Sequence, residues 1–388
     1  MDFQLTEQQQ MIQEMARDIA RRELEPIAAE LDETGRFPVE SFRKLADVGL
    51  LGMNVPEHLG GTRAGTVALS VALTEVAACC ASTAVGMSVT NMVGETISRF
   101  GSEDLQQRTV PRLTSGDAVC GAFCLSEPGS GSDAASLRAT ARREGDVYIL
   151  NGTKMWITSG AYSGVLIVMA RTAGPEAGNK GISAFIVEPG FEGFSTGKSE
   201  NKAGLRGSNT VPVLLENCVV PAANLLGSEG MGFRIAMTAL DGGRVTIGAM
   251  ANGISRAAID ASIAYGKERK QFGKPIAQFQ AIGHKLADMQ TRLDLSQLLV
   301  RRAAWLKEEA GDSGRRSTRQ AAMAKLYATE SCKYITEEAV QIHGGYGYTR
   351  EYPVERYMRD SRVTTIFEGT TEIQKMVIAR EVLAQIAG

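Results

Sequence analysis

Histidine is scarce: His58, His284 and His343 are the only three in 388 residues, too far apart to suggest a metal site. Six cysteines, Cys79, Cys80, Cys120, Cys124, Cys218 and Cys332, form no C-x-x-C pair and no cluster at zinc spacing. Reduced, structural thiols are expected of such scattered residues. Neither sign of charge dominates, since Lys+Arg 42 against Asp+Glu 44 gives a net charge of -2. That balance argues against the overall basic field of a dedicated nucleic-acid binder. No run reaches the roughly eighteen apolar residues of a membrane span. The first residues show no apolar signal core and no Arg-rich leader, so a soluble, cytoplasmic protein is expected. No repeat or low-complexity tract stands out. With 44% hydrophobic and 22% charged residues, the chain has the composition for two or three domains with sizeable cores.

Its organisation reads as α, then β, then α. Residues 1–118 are predicted to be helical. Thr6-Glu7-Gln8-Gln9 is a capping box, and Ile12, Met15 and Ile19 follow at helical spacing, with Ile27 and Leu31 after Pro26. The Ala-rich run Val67 to Val85 predicts one buried helix, and Ser88 to Phe100 a neighbour closed by Gly101. Residues 119–229 predict a mostly antiparallel β domain, a small barrel or sandwich. There Val147 to Leu150 leads through Asn151-Gly152, a hairpin-turn dipeptide, to Met155-Trp156-Ile157. Val165 to Met169, Ile182 to Val187 and Val211 to Leu215 are further strands. Residues 230–388 return to helix. Phe279, Ile282, Leu286, Met289, Leu293, Ser296 and Val300 mark a bundle seam, read as core packing. A second capping box, Ser317 to Gln320, opens a helix that stops after His343 at Gly344-Gly345.

Five segments carry candidate chemistry. Phe123 to Asp133 is rich in Gly and Ser, which allow close backbone approach and offer amide and hydroxyl donors. It lacks the Gly-Lys-Ser/Thr of a P-loop and the third glycine of a dinucleotide fingerprint. A polar loop and a cofactor cradle both fit, and its place at a domain junction favours the cradle. Trp156 and Thr158 lie two residues apart on a strand, so ring and hydroxyl share a face suited to a flat aromatic ligand or to ordinary half-burial. Tyr265 to Phe272, with Gly273-Lys274-Pro275 and Gln280, groups basic side chains that suit a pyrophosphate or a solvated helix end. Gln341 to Tyr348 ends a helix in glycines that allow a ligand near the backbone. Last, Thr364 to Gln374 holds Glu368 between Phe367 and Gly369, before a Thr-Thr-Glu helix start. A carboxylate against apolar neighbours loses hydration, and its pKa rises towards that of a base for carbon acids. A capping turn with a solvated glutamate is the plainer alternative.

Taken in order and spacing, Leu125 to Asp133, Met155 to Thr158, Arg269 to Gly273, Gln341 to Tyr348 and Ile366 to Gln374 resemble the acyl-CoA dehydrogenases over essentially the whole chain. The short-chain, butyryl-type members are the nearest in pattern. The resemblance implies a mainly α fold with a central β domain: a helical N-terminal domain, a middle β domain and a C-terminal four-helix bundle. It implies one FAD per subunit in a homotetramer built as a dimer of dimers. The activity would be oxidation of an acyl-CoA to the trans-2-enoyl-CoA in fatty acid beta-oxidation, with electrons passed to an electron-transfer flavoprotein.

Residue by residue, the resemblance implies that Phe123, Leu125, Ser126, Gly131 and Ser132 line the flavin together with Trp156, Ile157 and Thr158. Arg269, Phe272 and Gln280 would contact FAD across a subunit boundary with Gln341, Ile342, His343, Gly344 and Gly345. Thr370, Thr371 and Glu372 would face its adenosine side. Ser132, Asp241, Gly242, Gly243, Arg244 and Gly369 match acyl-CoA contacts. No metal is implied. Glu368 matches the base that removes the pro-R proton from the α-carbon while hydride leaves the β-carbon for flavin N5. Its backbone amide would meet charge on the thioester oxygen. Some members carry this acid immediately before the arginine matched by Arg244; here that position is Gly243. Val89 to Ile97 is expected to set acyl depth, with Glu95 either limiting the cavity or, the plainer reading, facing solvent. His343 stands where several short-chain relatives have Leu. An acyl-CoA oxidase or flavin monooxygenase, and a non-catalytic flavoprotein, are the rival readings; intact Glu368 and the lack of a basic extension weigh against them.

Overall fold

The computed structural model of the chain describes residues 4–311 and 317–386. Six helices come first: α1 Glu7–Ile19, α2 Ala28–Thr34, α3 Val39–Asp47, α4 Thr66–Cys79, α5 Ala81–Phe100 and α6 Glu103–Thr114. The Thr6–Gln9 capping box is present in both directions. The expected single helix from Val67 to Val85 is instead broken at Cys80, whose backbone is extended at φ -148. The break leaves both helix ends bonded, because the Cys80 N–H donates to Val76 O and its carbonyl accepts from Ala84 N. Both helices are buried nearly all round, so apolar periodicity runs through the break without a mark.

Eight strands follow: β1 Cys120–Cys124, β2 Thr140–Glu144, β3 Val147–Thr158, β4 Ser163–Arg171, β5 Ile182–Val187, β6 Phe194–Thr196, β7 Thr210–Pro221 and β8 Leu225–Leu226. They form one connected sheet in the order β6-β7-β3-β2-β4-β5-β8, with β1 parallel to β4. The remaining pairings are antiparallel except at Thr140–Arg171, where β2 meets β4. Asn151-Gly152 is not the expected hairpin turn. It lies inside β3 as a bulge against β7, with Gly152 at φ 145 and the position of a Cβ only 2.6 Å from Ala139 Cβ. Glycine is needed there for close approach, and Asn151 is tied to Asn217 across the bulge. The hairpin turns at Gly145-Asp146 instead, since Glu144 pairs with Val147.

The C-terminal part contains α7 Gly232–Glu268, a short hairpin of β9 Lys270–Gln271 and β10 Lys274–Pro275, then α8 Gln280–Ala310, α9 Thr318–His343, α10 Val354–Thr364 and α11 Thr371–Ile386. Met289, Leu293, Ser296 and Val300 are buried along the predicted seam, and α9 stops at Gly344 as expected. The second capping box is absent: Ser317 sits at ψ 24, outside the extended region a cap needs, and makes no side-chain cap bond. Thr318 donates instead to Asp241 at 2.7 Å. The two helical regions share one core, in which Leu73, Val76 and Leu69 meet Val245, Ala249 and Ala328. Among the described residues no helix is long and apolar enough to cross a membrane, and no group of His, Cys, Asp and Glu is placed to hold a metal. All six cysteines are free.

Candidate active site

Between α10 and α11 the chain makes a six-residue turn with two consecutive left-handed residues, Glu368 at φ 52 and Gly369 at φ 91. A non-glycine residue in that region costs about 1–2 kcal/mol, so something must hold the turn. Three contacts do. Lys325 Nζ on α9 donates to Gly369 O at 2.8 Å, and Gln374 Nε2 on α11 donates to Gly369 O at 2.9 Å and Glu368 O at 3.2 Å. The Thr371 N–H closes the loop onto Thr365 O at 3.0 Å. Thr370 then caps α11 by accepting from Ile373 N.

The turn aims the Glu368 carboxylate at α7. Its Oε2 is out of contact with water and has no hydrogen-bond partner. Desolvation pushes the carboxyl up to about 7, with Arg244 and Lys325 opposing the rise. A Cβ at Gly243 would stand 2.5 Å from Oε2. Glycine there is therefore what leaves room for the acid, and a side chain at that position and this placement of Glu368 exclude one another. The next residue, Arg244, donates to Asp241 Oδ1 at 2.7 Å, and Asp241 Oδ2 accepts from Thr318.

A Cβ at Gly243 would also stand 3.4 Å from Met92 Sδ, and Met92 lines a small cavity of about 30 Å³ together with Thr96, Gly242, Thr246, Glu95, Lys307 and Asn54. Glu95 does not simply face solvent as expected. It is ion-paired with Lys307 and accepts from Asn54 Nδ2 at 3.0 Å. Burial pushes its carboxyl up, but Lys307 and Asn54 outweigh that and hold it below the usual range. A Cβ at Gly242 would stand 3.2 Å from Lys307 Cε. Cβ atoms on two successive residues of α7 would thus meet the carboxylate and the lysine of the ion pair.

The other predicted residues gather in two patches. In the first, Met155 N donates to Ser126 O at 2.8 Å, joining the loop after β1 to the end of β3. A buried Lys154–Glu127 pair fixes that loop: Lys154 Nζ donates to Glu127 Oε1 at 2.8 Å and Leu125 O at 3.2 Å, while Glu127 accepts from the Arg138 and Ala139 amides. Gly131 and Ser132 are exposed, and Trp156 is 59% exposed at φ 63 in a bulge of β3. Thr158 and Phe123 are half-buried; Leu125 and Ile157 are buried, which leaves mainly their backbone to a ligand. In the second patch Arg269 lies over the Tyr346 ring and Tyr265 stacks on His343 at 4.3 Å. His343 is buried with Nδ1 2.8 Å from Ala339 O, and burial lowers its pKa, so it is a neutral packing group. Phe272 is 93% exposed, Gln280, Gln341, Gly344 and Gly345 are exposed, and Ile342 is buried. Of the predicted adenosine contacts, Glu372 is exposed but Thr371 is buried and donates to Glu330.

These surfaces fit a flavin dinucleotide. Cβ atoms at Gly129, Gly131, Gly344 and Gly345 would meet nothing within 4 Å, and large rings at Trp156 and Phe272 stand open to stacking. Lys325, Lys307 and Asn54 escaped the sequence reading. Lys325 shares the α9 face with Ala321, Ala328 and Cys332, whose burial only the structure supplies.

Three family models span the chain: the acyl-CoA dehydrogenase N-terminal domain over residues 6–117, the middle domain over 122–218 and the C-terminal domain over 230–383. The chain is 47% identical to an acryloyl-CoA reductase (NADH) of Anaerotignum propionicum, covering 99% of this chain and 96% of that protein. It is 46% identical to the mitochondrial short-chain specific acyl-CoA dehydrogenase of Mus musculus, covering 98% and 91%. Its fold matches the butyryl-CoA dehydrogenase structure from Megasphaera elsdenii with a TM-score of 0.95 at 40% identity, over 99% and 100% of the two chains. Members of this family are FAD flavoproteins. Full-length matches of this strength, on a fold that leaves a buried carboxylate oxygen without a partner, place the chain in the acyl-CoA dehydrogenase family of oxidoreductases.

Proposed function

We propose that this protein oxidises a short acyl-CoA thioester to the trans-2-enoyl-CoA, with Glu368 as the base that takes the C2 proton. The observation that carries this reading is the Glu368 Oε2: dry, without a hydrogen-bond partner, with its carboxyl raised to about 7. An acid so placed is half ionised near neutral pH and strong enough to accept a proton from carbon. The Glu368 backbone N–H is the donor proposed for the thioester oxygen, where charge builds as the proton leaves; such donors are typically worth about 3–4 kcal/mol in a dry site. FAD, when bound, supplies the acceptor for the hydride leaving C3. Leu125, Ser126, Gly131, Ser132, Trp156 and Thr158 are proposed to hold its ring system. Arg269, Phe272, Gln280 and residues 341–345 are proposed to serve the FAD of a neighbouring subunit in a homotetramer. Electrons are proposed to leave to an electron-transfer flavoprotein.

The cavity supports a short chain. A Cβ at Gly243 would meet the base and one at Gly242 would meet Lys307, so the acyl chain is proposed to run from C2 towards the Glu95–Lys307 pair. Apolar methylenes gain nothing by displacing a paired charge. Run backwards, the same groups reduce a short enoyl-CoA, the activity for which the Anaerotignum propionicum relative is named.

Purified protein should be yellow, and under anaerobic conditions butyryl-CoA should bleach its flavin while octanoyl-CoA does so far more slowly. A panel from propionyl- to octanoyl-CoA, with acryloyl-CoA added to the reduced enzyme, fixes chain length and direction. A colourless protein that refuses FAD, or one that no acyl-CoA bleaches, overturns the proposal.

A further inference from the structure

Lys325 is a buried charge to which the proposed reaction assigns no role. Its side chain has no exposure to solvent, and it projects from an α9 face otherwise made of Ala321, Ala328 and Cys332, all buried. A buried ammonium is a poor choice for stability alone, since an apolar side chain of similar volume fills such a site at lower cost. Among the described residues its hydrogen-bond acceptor is the Gly369 carbonyl, at 2.8 Å, one peptide beyond Glu368. The ammonium therefore sits behind the left-handed turn that presents the carboxylate.

We propose that Lys325 is a positioning residue for the base: it pins the Glu368–Gly369 turn through the Gly369 carbonyl, and its positive charge keeps the desolvated Glu368 ionised. This rests on the reading of Glu368 as the base. Gln374 shares the pinning, since it reaches the same carbonyl and that of Glu368, but it brings no charge. Arg244 brings charge from α7, but its guanidinium is engaged with the Asp241 carboxylate, which offsets it. Lys325 has no such carboxylate bonded to it. Electrostatics agree in sign: Glu368 raises the Lys325 pKa while Lys325 lowers that of Glu368, although burial dominates both. The charged groups that act on the carboxylate are Arg244 on α7, itself paired with Asp241, and Lys325 on α9, on which Glu330 of α9 and Glu372 at the start of α11 act in turn.

The test compares FAD-loaded wild type with Lys325→Gln and Lys325→Met, reading the anaerobic bleaching rate by butyryl-CoA from pH 5.5 to 9. The Gln side chain, one atom shorter, keeps an N–H donor turned towards the Gly369 carbonyl but carries no charge. Its acidic limb is expected to move up by about one pH unit, the usual size of a lost opposite charge, with much of the rate recovered at high pH. Met removes charge and hydrogen bond together, so the same upward move should come with a rate at least tenfold lower at every pH. Flavin content and melting temperature separate these effects from failure to fold, and the Gln variant decides the matter if the Met variant does not fold. An acidic limb that stays put in a folded, flavin-loaded Gln variant overturns the proposal. Failure of the parent reading looks different: wild type then shows no bleaching, or Glu368→Gln bleaches as fast as wild type.

Discussion

Glu368 gives up stability for reactivity. Its carboxyl, raised by desolvation to about 7, holds a proton in the folded protein across a pH range where the unfolded chain has released it. The native state gains most below the unfolded value, roughly pH 4.5, and loses that gain as pH rises through about 7. Glu368→Gln is spared the loss. Its stability should match wild type in acid and exceed it above pH 7, by about 1–2 kcal/mol once partial exposure of the side chain is discounted, seen as a higher melting temperature. Thermal melts of both proteins from pH 5 to 8 check this, and a gap that does not grow with pH contradicts it. The acid was legible in the sequence because it sits between Phe367 and Gly369 in a motif. Lys325 was not, because a lysine in an Ala-rich helix reads as a solvated face until its neighbours are known to be buried.

Elements place the substrate wall. The cavity end is made by α5, which carries Glu95, and by α8, which carries Lys307. Replacing both residues by Ala removes both charges together and leaves no unpaired ion. The double variant should shift the optimum of the acyl-CoA panel by two carbons or more towards longer chains, while Lys307→Ala alone strands Glu95 and should weaken activity with every chain. An unchanged chain-length profile in the double variant would place the wall elsewhere. Sequence reading left Glu95 in solvent because its partner is 212 residues away. The same blindness misplaced the β3 hairpin: Asn151-Gly152 carries turn chemistry, but that glycine is used for a bulge against Ala139. Only the pairing partner across the sheet distinguishes the two uses.

At the scale of the molecule, the α-β-α order was legible from periodicity, but the joining of its parts was not, since a core shared by α4, α7 and α9 leaves no local signature. Arg359 is a single-residue clamp between the parts. From α10 it donates to both oxygens of Asp32, at 2.8 and 2.6 Å, to Ala203 O and to Glu355. Asp32 is 8% exposed, so Arg359→Ala leaves a buried carboxylate alone and should cost about 3–5 kcal/mol in denaturant unfolding. Lysine cannot reproduce the two-pronged contact and should recover only part of that; a loss below about 1 kcal/mol would show that the parts are held by apolar packing alone.

On the proposed reading, this frame serves to hold one carboxylate dry for a thioester. The most direct measurement is the anaerobic bleaching rate of Glu368→Gln with butyryl-CoA, in protein shown to carry FAD and to bind the thioester. The glutamine cannot accept the C2 proton, so bleaching should slow by about 10²–10⁴-fold or more, the range a positioned base contributes, and raising the pH should not restore it. A rate near that of wild type would mean that another group takes the proton.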